Sequence, residues 1–220
     1  MKKVALFIFI SVAAAALSGC SMLRTLEQAV EGSGEKVRES RTAQAFSGIE
    51  LNGSPDIQFR TSSTPKIWVT CDKNLLPYLS TKVKNGILVV EFTKSVSTKI
   101  QTVVEIEGPN LKSLKVSGSG NVDASGLAGK ELTVSVSGSG NVKVIGNADD
   151  VTASITGSGT INGKSLNSSK ATISVTGSGD VSLRTREATA SITGSGNIDL
   201  YGNPSVTKNI LGSGSVSVHD

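Results

Sequence analysis

The chain has 220 residues, with 22 basic and 18 acidic side chains and a net charge of +4 at pH 7. Lys and Arg are scattered and aromatic residues make up only 4%, which excludes the basic, base-stacking surface that nucleic-acid binding needs. With 24 Gly and an apolar fraction of 37%, supplied mainly by Val, Ile, Leu and Ala, the composition favours thin β architecture over a helical bundle.

The first 19 residues read as an export signal. Lys2 and Lys3 supply the charged start, Val4 to Ala16 the apolar stretch, and Leu17-Ser18-Gly19-Cys20 the processing site. The apolar stretch is too short to span a membrane. Leu-Ser-Gly-Cys resembles the lipobox of bacterial lipoproteins, which implies cleavage before Cys20 and its acylation, palmitate included, so that the chain is held to a membrane. Ser21 in place of Asp resembles the pattern of lipoproteins sent to the outer membrane of Gram-negative bacteria. Removing Lys2 and Lys3 leaves 20 basic against 18 acidic residues, a nearly neutral mature protein. Cys71 then remains as the lone thiol, and Trp68-Val69-Thr70-Cys71 places it in a buried strand.

Residues 20–44 are polar, with Gly32 and Gly34 interrupting any helix, and are expected to be a flexible tether. Residues 45–110 form an irregular β region. Ile49, Leu51, Ile57 and Phe59 alternate with polar residues, Lys66 to Cys71 continues as strand, and Asp72 to Pro77 makes a turn or one helical turn. Asn85-Gly86 lies between two apolar runs and predicts a hairpin, because both turn residues need positive φ. The large side chains are concentrated here, which suits the cap that a repeat array requires.

Residues 111–220 repeat. Gly-Ser-Gly begins at Gly118, Gly138, Gly157, Gly177, Gly194 and Gly212, with spacings of 20, 19, 20, 17 and 18 residues. A period near twenty predicts an all-β solenoid, a β-helix-like stack of coils. Counted from the first Gly of each copy, positions −4, −2, +4 and +6 are expected to point inward, and only Gly163 and Lys208 break an apolar set of 24. If the chain stays extended through the motif, both glycines also face inward, as bend points without side chains. Gly53-Ser54-Pro55-Asp56 fits the same frame.

The outward positions −1, +1 and +3 form the candidate binding face. They hold Ser117, Ser119 and Asn121; Ser137, Ser139 and Asn141; Thr156, Ser158 and Thr160; Thr176, Ser178 and Asp180; and Thr193, Ser195 and Asn197, before a sixth copy with Leu211, Ser213 and Ser215. At about 4.8 Å per rung these columns are expected to make a polar stripe about 24–29 Å long.

Gly-Ser-Gly-Asn-Val and Gly-Ser-Gly-Asn-Ile, together with Phe46-Ser47-Gly48-Ile49 and Gly108-Pro109-Asn110-Leu111, resemble the bacterial head GIN domain family, labelled as autotransporter adhesin heads. The resemblance runs over about residues 45 to 218 and implies a β-helix-like fold in secreted or lipid-anchored envelope proteins. It carries no catalytic residues.

Catalytic chemistry is not visible. Asp123, Asp180 and Asp199 fall in separate copies, and the single His, His219, is next to the last residue. Gly163-Lys164-Ser165 lacks the upstream Gly of a phosphate loop, and the repeat has no regular Asp for calcium, so no metal, catalytic residue or cofactor is expected. The reading that follows is a non-enzymatic envelope lipoprotein. It is anchored through Cys20 and binds a glycan or another protein through its Ser/Thr/Asn face. The alternative is a structural spacer or self-assembling subunit, with homo-oligomers formed through end strands such as Val216 to Val218.

Overall fold

The computed structural model describes residues 28–220; the expected signal peptide, Cys20 and Ser21 lie outside them. Strands β1 (Val30–Glu31), β2 (Lys36–Arg41), β3 (Gly48–Gly53), β4 (Asp56–Thr61) and β5 (Lys66–Asp72) come first. A 3-10 turn over Lys73–Tyr78 leads into β6 (Leu79–Lys84), β7 (Ile87–Phe92), β8 (Val96–Ser97) and β9 (Val103–Gly108). The repeat supplies β10 (Ser113–Gly118), β11 (Val122–Gly138), β12 (Asn141–Gly157), β13 (Thr160–Gly177), β14 (Asp180–Arg184), β15 (Glu187–Gly194), β16 (Asn197–Tyr201), β17 (Ser205–Gly212) and β18 (Ser215–His219).

These strands make a β-solenoid of about five turns. Its first sheet runs β6-β7-β3-β10-β11-β12-β13-β15-β17. Its second sheet runs β2-β5-β9-β4-β11-β12-β13-β14-β16-β18. The long strands β11, β12 and β13 serve both sheets because the chain bends within them, on a third side where Leu127 and Leu166 are buried. The chain crosses from the first sheet to the second at each Gly-Ser-Gly. Pairing within the repeat is parallel and puts like on like: Gly118 faces Gly53 and Gly138, and Gly157 faces Gly138 and Gly177.

The apolar alternation becomes columns that run along the solenoid axis. Leu114, Val134, Ala153, Ile173 and Ala190 form one on the first sheet, and Val122, Val142, Ile161, Val181 and Ile198 form one on the second; all are buried. Each large aliphatic side chain removed from water in this way contributes about 1.5–3 kcal/mol before entropy is counted. Both breaks in the pattern have physical reasons. A Cβ on Gly163 would overlap Leu183, whose side chain fills that space and which is itself buried. Lys208 occupies the inward place beside Ala190 in the final rung, where it stays exposed.

The Gly-Ser-Gly corner differs from the expectation that both glycines face inward along one extended strand. Gly177 has φ +118, a conformation that side chains disfavour, and a Cβ there would lie 2.5 Å from the carbonyl oxygen of Gly157. The obstacle is thus the backbone of the preceding coil, not the core. Gly179 is the inward one of the pair: it is buried, and its Cβ would lie 2.6 Å from both the Gly159 oxygen and Ile155 Cγ2. Removing both side chains lets neighbouring corners hydrogen bond directly. Ser178 N donates to Gly157 O at 2.9 Å, Ser158 N to Gly138 O at 2.9 Å, and Ser139 N to Gly118 O at 3.0 Å.

The described part of the expected tether, residues 28–44, is built into the fold. Of its described part, β1 pairs with β8 and β2 pairs antiparallel with β5. This stretch has little apolar alternation because β2 is an edge strand with only two half-buried residues, and polar contacts hold it. Arg41 donates to the carbonyl oxygens of Leu76 and Leu79. Asp72, fully buried, accepts backbone N–H bonds from Gly34 at 2.7 Å and from Lys99 and Ile100 at 3.0 Å. Burial alone would raise its pKa, but these donors outweigh it and hold the carboxyl below the usual range. Next to it Cys71 is buried, and mainly for that reason its thiol is pushed up to about 11.

Two outcomes follow from this packing. Gly177→Ala, strained in φ and overlapping Gly157 O, is expected to lower stability by about 3 kcal/mol, whereas Ser178→Ala stays within about 0.5 kcal/mol; urea unfolding of both variants checks this. Asp72 has a lowered folded-state pKa, so it stabilises the folded protein above the ordinary carboxylate pKa, and that contribution is lost as pH falls through the folded-state value. Asp72→Asn should therefore lower the melting temperature at pH 7, by an amount that shrinks as pH falls through the acid range, with Gly34, Lys99 and Ile100 amides exchanging faster at neutral pH.

Candidate functional site

The expected stripe is not flat. Residues Ser117, Ser137, Thr156, Thr176 and Thr193 lie on the outer side of the first sheet, at the ends of its rungs. Ser119, Ser139, Ser158, Ser178 and Ser195 sit at the corner itself and are exposed. Asn141, Thr160, Asp180 and Asn197 begin strands of the second sheet, around the bend, and Asn121 directly precedes β11. The three columns wrap an edge of the solenoid because the positive φ of the first glycine turns the chain between them.

Much of the third column bonds to itself. Asn121 Nδ2 donates to Asp56 Oδ1 at 2.8 Å, and Asn141 Nδ2 donates to Asn121 Oδ1 at 2.9 Å. Further along, Asn197 Nδ2 donates to Asp180 Oδ1 at 3.0 Å, and the Ser215 hydroxyl donates to Asn197 Oδ1 at 2.9 Å. These amides have part of their hydrogen-bonding capacity committed within the column, which makes it a structural ladder along the corner.

The flat polar surface lies one step back. Positions −5, −3 and −1 share the outer side of the first sheet, and four consecutive rungs present Thr133, Ser135 and Ser137; Thr152, Ser154 and Thr156; Thr172, Ser174 and Thr176; and Thr189, Ser191 and Thr193. The threonines are exposed, and Ser154 Oγ donates to Ser135 Oγ at 2.9 Å. Four rungs with three hydroxyls each cover roughly 14 Å along the axis and 13 Å along the strands. The array is free of charge. In the preceding rung, Lys115 stands where the later copies have Ser and pairs with Glu50 at 3.0 Å. The signal was present in the sequence as Thr-x-Ser-x-Ser/Thr-Gly; counting through the glycines instead of back from them missed it.

The carboxylates do not converge. Asp180 belongs to the ladder, Asp199 lies 2.8 Å from His219, and Asp123 faces Gln58 and Lys143 on the second sheet. Among the described residues no group of three or more His, Cys, Asp or Glu side chains gathers around a common point that would hold a metal. Gly163-Lys164-Ser165 is part of β13, with the Lys164 ammonium 4.8 Å from the centre of the Tyr201 ring.

A family model described as "Putative auto-transporter adhesin, head GIN domain" matches residues 45–219. The chain belongs to the head GIN domain family. Its solenoid is also similar to solved structures. A putative adhesin from Parabacteroides merdae is 27% identical with a TM-score of 0.63, covering 87% of this chain and 99% of that one. A putative adhesin from Bacteroides fragilis reaches a TM-score of 0.70 at 19% identity, over 86% of this chain and 100% of its own. A protein from Parabacteroides distasonis described as a putative lipid binding protein has a TM-score of 0.59 at 23% identity, over 88% of this chain and 100% of its own. A search of curated proteins found no match. The family's description suggests an adhesion-like module, and four consecutive rungs of the repeat build an uncharged Ser/Thr face on the first sheet.

Proposed function

We propose that this head GIN domain protein is a non-enzymatic envelope lipoprotein, exported by its N-terminal signal, anchored in the outer membrane through an acylated Cys20, and used for adhesion. The observation that carries the reading is the flat array of Thr and Ser on the outer side of the first sheet. Hydroxyls both donate and accept, so the array pairs with the mixed donors and acceptors of a glycan or of another protein's surface. The side chains are short and their strands are held in register on both sides, so little conformational freedom is lost on binding. The lack of charge suits close contact without the desolvation of ions.

Cells carrying the wild-type gene should attach to glycan- or protein-coated surfaces better than deletion strains. Thr152→Lys with Thr172→Lys, which puts two charges into the array, should reduce attachment at unchanged protein level and melting temperature. Metabolic palmitate labelling lost in Cys20→Ser checks the anchor, and equal attachment by wild-type and deletion strains overturns the reading.

A specific observation also favours self-association. Among the described residues β17 and β18 each pair on one side only, and Leu211 and Val218 are 63% and 47% exposed. A second copy meeting this end would pair the free edges and cover both side chains. Light scattering of residues 28–220 should show a dimer whose population falls in Val218→Lys.

A further inference from the structure

The solenoid carries a second feature that the repeat does not explain, at the junction between the cap strands and the first coils. On β5 the inward residues are Ile67, Val69 and Cys71, each no more than 1% exposed, so Trp68, the single Trp of the chain, faces outward. The core does not require an aromatic residue there. Strand register puts Trp68, Glu105, Gln58, Asp123 and Lys143 in one row across five adjacent strands of the second sheet. Beside the row, Arg38 lies over the indole at 5.4 Å from its ring centre and pairs with Glu105 at 2.6 Å.

Together these residues line a cleft of about 440 Å³. That size is in the range of small-ligand sites. Its lining is charged but balanced: Arg38, Arg60 and Lys143 stand against Glu105, Glu107 and Asp123. Three carboxylates disfavour a polyanion, and six ionic groups disfavour a lipid tail. What the lining offers is dense, alternating donors and acceptors around a half-buried indole. A neutral sugar matches this, because each hydroxyl both donates and accepts while the apolar C–H face of a pyranose lies against an aromatic ring.

We propose that this cleft is a binding site for a neutral saccharide, with Trp68 as the stacking platform and Glu105, Asp123, Gln58 and Lys143 as hydroxyl partners. Arg38, which contacts the indole and pairs with Glu105, positions both, and the saccharide takes the part of the ring that Arg38 leaves free. The site is independent of the Ser/Thr face, since it lies on the other sheet.

The experiment uses the full-length protein in a detergent without a sugar headgroup, titrated with neutral di- to tetrasaccharides built from glucose, mannose, galactose or N-acetylglucosamine. Because Trp68 is the single Trp, its emission reports on the site directly. At least one saccharide should give a saturable emission shift. Isothermal titration should then show binding weakened about tenfold in Trp68→Ala and partly retained in Trp68→Phe. Asp123→Ala and Lys143→Ala, both exposed and outside the cap, should weaken binding at an unchanged melting temperature, which keeps the test valid if Trp68→Ala misfolds. Thr152→Lys with Thr172→Lys should leave it unchanged, which separates this site from the adhesive face. No emission change with any saccharide, binding unaffected by Asp123→Ala and Lys143→Ala, or a response confined to heparin or phospholipid vesicles would overturn the proposal.

Discussion

The structure depends on how closely two coils approach at their corners. A β-solenoid adds rungs at about 4.8 Å, and wherever the chain turns, a side chain between rungs would hold the two backbones apart. In this protein the corner is stripped to Gly-Ser-Gly, so that Ser139, Ser158, Ser178, Ser195 and Ser213 each donate a backbone N–H to a glycine carbonyl of the coil before. The corner thus continues the hydrogen bonding of the sheets instead of interrupting it. Once corners are in register, the segments that flank them are too, so that Val142 stacks on Val122 and Thr152 on Thr133, while the unequal coil lengths are taken up by register shifts on the third side. This is the one-dimensional logic of repeat proteins, in which each unit is stabilised by its neighbours.

The same constraint sorts the surface. Because the turn takes place within three residues, the outward side chains before the motif share a plane and those after it belong to another face. Short hydroxyl residues before it form a flat array, and the Asn-rich positions after it bond to one another. Two similar-looking sets of polar residues therefore have different work: one is free to meet a partner, and the other ties rung to rung. An amide ladder at a corner is well placed for this, since an Asn amide can both donate and accept along the axis, as Asn121 and Asn197 do.

This explains which parts of the molecule were legible from residues alone. Periodicity found the solenoid, its inward columns and the Asn85-Gly86 hairpin, because each depends on local spacing; Asn85 and Gly86 do adopt φ +52 and +76. It could not find β2, whose sequence Lys36 to Arg41 has almost no apolar alternation and is held by Arg41, by pairing to β5 and by the buried Asp72 nearby. Those contacts join residues 26 to 38 positions apart, and no local pattern encodes them. Nor could it place the flat face correctly, since that required the direction of the turn at each first glycine. The outward Trp68 was visible as a large residue in a strand, but its neighbours across β9, β4 and β11 come from three different parts of the chain.

Regular and irregular halves consequently divide the tasks. A repeat fixes the identity of every rung, so a face built from it can offer extent and uniformity but no singular point. Singular points arise where the repeat stops and antiparallel cap strands bring non-repeating residues alongside it, as Trp68, Glu105 and Arg38 are brought beside Asp123 and Lys143. The cap has to exist for a physical reason, because an open solenoid end exposes core and unpaired strand edges. Having been required for stability, it is also where sequence is free to depart from the stacking rule. Broad, weak contact along the repeat and narrow, chemically specific contact at the cap junction are therefore compatible in one domain, and substitutions in either leave the Gly-Ser-Gly column intact.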